Sequence, residues 1–108
     1  MIENPHAIDA LGLRKDGGAD LLIVSSGPLD ESPETQTLLL DKVETCLAYI
    51  SGPEFQAECP GASAENTRIV LRLDEEPPVL LRKLFEKIVP WTAEYGAAFA
   101  VELQKKAP

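Results

Sequence analysis

Hydrophobic positions in this chain switch between two periods, and the switches mark out its elements. Between Ser32 and Ile50 the apolar residues Leu39, Val43, Cys46, Leu47 and Ile50 recur at spacings of three and four, the signature of one helical face. Asp41, Lys42, Glu44 and Thr45 are expected to point mostly away from it. The start is written as a capping hydroxyl at Ser32, Pro33 in the first turn and the Glu34 carboxylate against the helix dipole. Gly52 and Pro53 are the expected stop. A second helical pattern places Leu81, Leu84, Phe85 and Ile88 inward, with Arg82, Lys83, Glu86 and Lys87 outward. Pro90 interrupts it, but Ile88, Trp91 and Tyr95 keep the spacing, so the helix is expected to kink and run on to Gly96.

The remaining apolar residues follow the period of strands. Residues 68–73 alternate cleanly, with Ile69, Leu71 and Leu73 on one face and Arg68, Val70 and Arg72 on the other. Residues 97–103 alternate through Phe99, Val101 and Leu103. Residues 8–14 and 20–26 read as two strands joined at Asp16-Gly17, a dipeptide suited to the positive φ of a tight turn. The run Leu21 to Val24 predicts cover on both faces, or one face covered by helices and the other by a second subunit. The Pro- and Gly-rich stretch 53–67 predicts a loop with a helical turn at 54–58, anchored by Phe55. The order ββαβαβ predicts one α+β domain over residues 1–108. Its architecture is a two-layer sandwich with two helices on one face of a four-stranded mixed or antiparallel sheet. Free sheet edges make a homodimer an expectation.

Composition narrows the partners. A 44% hydrophobic fraction over 108 residues supplies a core without metal or disulfides. The net charge of −8, with Lys and Arg scattered along the chain, disfavours nucleic acid and anionic membranes and favours a basic protein or a cationic ligand. The polar opening MIENPHAIDA does not read as a leader, and no apolar run reaches membrane-spanning length. A cytoplasmic protein with Cys46 and Cys59 as free thiols is expected.

Candidate chemistry is sparse. His6 beside Glu3 and Asp9 is the nearest approach to a polar constellation, but no nucleophile accompanies it. The clusters Asp30-Glu31-Glu34 and Asp74-Glu75-Glu76 stand at predicted helix starts, where the dipole accounts for acids without a ligand. Cys46 reads as core, and Cys59, in a Glu-Cys-Pro-Gly loop, is the one thiol open to reactivity. Gly17-Gly18 and Ser25-Ser26-Gly27 lack the surroundings of a phosphate loop or a nucleophile elbow. Pro77-Pro78 fits a helix start better than a polyproline ligand. Trp91 and Tyr95 could line a partner surface, although aromatics at helical spacing are more often core. No catalytic, cofactor-binding or metal residue is assigned. The leading expectation is a non-catalytic module that binds a protein partner or itself. The alternative is a small-molecule-binding domain or minor enzyme with a pocket near His6 and Asp9.

The opening Ile2-Glu3-Asn4-Pro5 with Ile8-Asp9 and Gly12, the Leu29-Asp30 pair, the Tyr49-Ile50-Ser51-Gly52 helix end and the Glu58-Cys59-Pro60 loop resemble a family of short bacterial proteins of unknown function. The likeness spans about the first two-thirds of the chain and is clearest in the ENPxxID opening. Relatives tend to carry an aromatic residue after the Leu-Asp pair, where this chain has Glu31. The resemblance implies a bacterial, cytoplasmic origin and transfers no functional residue.

Overall fold

The computed structural model describes residues 8–25 and 29–103. His6, Glu3, Ser26, Gly27 and the tail 104–108 lie outside them. In order come β1 (Ala10–Leu13), β2 (Ala19–Ser25), α1 (Pro33–Ile50), α2 (Pro53–Glu58), β3 (Thr67–Leu73), α3 (Val79–Glu94) and β4 (Ala98–Leu103). The sheet runs β1-β2-β3-β4, with β1 antiparallel to β2 and the other two pairs parallel. It is therefore the expected α+β architecture with a mixed sheet.

Both parallel connections step the same way across the sheet. A strand–helix–strand crossover is right-handed almost without exception, so two such steps lay α1 and α3 on the same face. Burial agrees: Ala19, Leu21 and Ile23, then Ile69, Leu71 and Leu73, then Phe99 form one core with Leu39, Val43, Cys46, Leu47, Leu81, Phe85 and Ile88. On the other face of the sheet Leu22, Val70 and Ala100 stand in register. Leu22 and Val24 are only half-buried there, so the run Leu21 to Val24 is fully covered on its helical side alone. Asp20 holds Arg68 through two hydrogen bonds of 2.9 and 2.7 Å and also pairs with Arg14.

Local signals act where they were expected, with some exceptions. Ser32 accepts the Thr35 amide hydrogen at 3.2 Å and caps α1. Gly17, at φ +88°, closes the turn between β1 and β2. The helix α3 continues through Pro90. It ends in a Schellman motif in which Ala97 donates to the Thr92 carbonyl and Gly96, at φ +86°, donates to that of Ala93. Gly52 does not end α1 in a left-handed conformation. Ser51 closes that helix, and Gly52, at φ −93°, is the N-cap of α2, so two residues separate the helices and only Gly52 is extended. The predicted turn at 54–58 is a true short helix, whose Phe55 is buried and meets Tyr49 edge-on at 5.5 Å.

Lys42 is the main correction. Its side chain is 0% exposed and lies inside the fold, because position 42 sits three residues after Leu39 and four before Cys46, beside the apolar face.

Candidate functional site

In the helical layer one polar arrangement is closed and another is open. In the closed one, Lys42 Nζ lies 2.6 Å from Asp9 Oδ1, and the Asp9 side chain is 5% exposed. The second carboxylate oxygen accepts the Val24 amide hydrogen at 2.9 Å. Burial alone raises a carboxyl pKa, but here the hydrogen bonds to the carboxylate, that of Lys42 foremost, together outweigh it and hold Asp9 below its ordinary value. Cys46, one turn along α1, is buried beside this pair, and desolvation pushes its thiol up to about 12. The pair thus joins the segment before β1 to α1 and β2. Of the pocket expected near His6 and Asp9, the Asp9 carboxylate is enclosed, and His6 lies outside the described residues.

The open arrangement is a groove of about 410 Å³ between α1 and α3, lined by Glu44, Leu47, Ala48, Ser51, Trp91 and Tyr95. Glu44, Leu47, Ala48 and Ser51 follow helical spacing and form one wall; Trp91 and Tyr95, four residues apart, form the other. An adjoining depression of about 300 Å³ shares Glu44 and Ala48 and extends to Asp41 and Thr45. Tyr95 is 54% exposed and so is not the core residue that helical spacing favours, whereas half-buried Trp91 packs against the core on one side and lines the groove on the other.

The groove lies at the C-terminal ends of two helices. Both α1 and α3 follow parallel strands and run back along them, which brings Ser51 and Tyr95, their C-caps, to the same end of the layer. Each helix end carries the negative pole of its dipole, and neither last turn contains a basic residue. With Glu44 in the wall, the groove combines a carboxylate, two helix poles and two aromatic faces. Such a set attracts a cation and stacks a planar one.

The acidic clusters serve structure. Asp30 accepts hydrogen bonds from the Ser32 amide at 3.0 Å and hydroxyl at 2.6 Å and from the Thr35 hydroxyl, which extends the α1 cap. Glu31 Oε2 accepts the Leu80 amide hydrogen at 3.2 Å. The loop before α1 thereby caps α3, whose own N-cap, Pro78, offers no side-chain acceptor. Asp74, Glu75 and Glu76 precede α3 rather than entering its first turn, which contains no acid. Cys59, expected in an open loop, is buried at the C-cap of α2, and desolvation raises its pKa. Among the described residues no group of three or more His, Cys, Asp or Glu could hold a metal ion. Also among them, no helix is long and apolar enough to cross a membrane.

Sequence reasoning missed Lys42 as the partner of Asp9 and Glu44 as the wall facing the aromatics. The signal available for the groove was the lack of basic residues in both last turns. Comparison of the chain with models of known protein families, with curated proteins and with solved structures gives no match.

Proposed function

We propose that this chain is a non-catalytic interaction module of the bacterial cytoplasm, and that its protein partner places a basic side chain, best an arginine, in the groove between α1 and α3. The observation that carries this reading is the meeting of Glu44, Trp91 and Tyr95 between two helix C-termini that lack neutralising cations. A guanidinium stacks on Trp or Tyr for about 0.5–2 kcal/mol and gains a carboxylate bond beyond that. The chain's net charge of −8 steers a basic partner toward it and turns nucleic acid and anionic membranes away.

Trp91 is the sole tryptophan and reports directly on the groove. Titration with a short arginine-rich peptide is expected to change its fluorescence saturably, more weakly in high salt, and not at all in Glu44→Lys. A response of equal size in the wild type and in Glu44→Lys contradicts the reading.

A further inference from the structure

The geometry points to a second copy of this chain as the occupant of the β4 edge, bound strand to strand and antiparallel so that two four-stranded sheets become one. The site is separate from the α1–α3 groove and does not rest on its reading.

The sheet order leaves β1 and β4 at its edges. Chains guard edges with short strands, lysines, prolines or bulges. The β1 edge is guarded by its length of four residues. The β4 edge, AFAVEL, has six residues and none of these devices, and among the described residues no strand pairs with its outer side. Its one charged residue, Glu102, is turned to account within the chain by Arg72 of β3 at 3.4 Å.

The strand is complementary to itself in one register. With Val101 placed opposite Val101 of the second copy, Phe99 falls opposite the second copy's Leu103, and Ala100 opposite its Glu102. On the helical side this covers Val101 and Leu103, which are 38% and 39% exposed although they continue the row that begins with buried Phe99. On the other side small Ala100 separates the two Glu102 residues onto a diagonal, and each keeps its Arg72. Like charges are then never directly opposed. Shifting the register to put Ala100 opposite Ala100 leaves Leu103 uncovered. A one-residue shift turns Val101 against the wrong face of the partner.

The test combines mass and register. Light scattering across micromolar to millimolar concentrations is expected to give about twice the 11.7 kDa chain mass. Val101→Lys, checked by circular dichroism for an unchanged fold, is expected to weaken the dimer by about ten-fold or more, since it supplies the missing edge lysine. Under mild oxidation Val101→Cys is expected to form a disulfide between copies, while Leu13→Cys, on the exposed β1 edge, does not. The native Cys46 and Cys59 are buried and give no background. Monomer mass throughout, a dimer indifferent to Val101→Lys, or equal cross-linking at positions 13 and 101 each overturns the inference.

Discussion

Lys42 Nζ and Asp9 Oδ1 meet at 2.6 Å across thirty-three positions of sequence, with the ammonium fully enclosed. This contact pins the segment leading into the edge strand β1 to the middle of α1. Breaking such a pair from one side leaves a buried charge behind, which costs more than the pair contributes when intact. Lys42→Met is expected to lower stability by about 3–5 kcal/mol in urea titrations. Asp9→Ala combined with Lys42→Met is expected to cost clearly less than the two single changes together. Full additivity would show that the two residues do not act as a pair.

The fold was legible where its signals are local. Ser32 and Pro33 start a helix from within a few residues, Asp16-Gly17 makes its own turn, and the alternation of residues 68–73 needs no distant partner. Lys42 was not legible in the same way. Its spacing from Leu39 and Cys46 marked it as a neighbour of the buried face, but the carboxylate that makes burial tolerable is remote in sequence. The groove divides similarly. Trp91 and Tyr95 are visible as a pair on one helix, whereas Glu44 comes to face them only because successive parallel crossovers set α1 beside α3.

Acid should weaken the fold through its paired carboxylates. Asp20 is held below the usual carboxylate range chiefly by its Arg68 hydrogen bond, and Asp9 is likewise lowered, its hydrogen bonds, that of Lys42 foremost, overcoming the cost of burial. A carboxyl whose pKa is lower folded than unfolded binds more protons in the unfolded chain. Its contribution is present above the unfolded value, about 4, and is lost as pH falls through the folded value. The urea midpoint is expected to hold from pH 7 to about 5 and to fall below about 4. Asp20→Asn should be less stable at neutral pH and lose less on acidification. An unchanged acid dependence in that variant would remove Asp20 from the explanation.

Glu31, in the loop before α1, caps α3 from outside that helix. Glu31→Ala is expected to cost about 0.5–1 kcal/mol, the lower end of capping effects because the site is exposed. Hydrogen exchange at the Leu80 amide should accelerate, while Glu31→Gln, which keeps an acceptor, retains most of the protection. Unaltered Leu80 exchange in Glu31→Ala would contradict the cap.

Both thiols should be silent in the native protein. Cys46 and Cys59 are buried, and the Cys46 pKa is pushed up to about 12 by desolvation. A thiol reagent at pH 8 is expected to label neither in buffer and both in denaturant. Rapid native labelling of Cys59 would show that the α2 cap opens readily.

The interaction module is tested most directly by amide and indole resonance mapping of the full chain as an arginine-rich peptide is added at low and high salt. The expected shifts cluster at Glu44, Ala48, Ser51, Tyr95 and the Trp91 indole, saturate, and shrink as salt rises. Shifts spread evenly over the surface, or centred on β4 and absent from the groove, would contradict it.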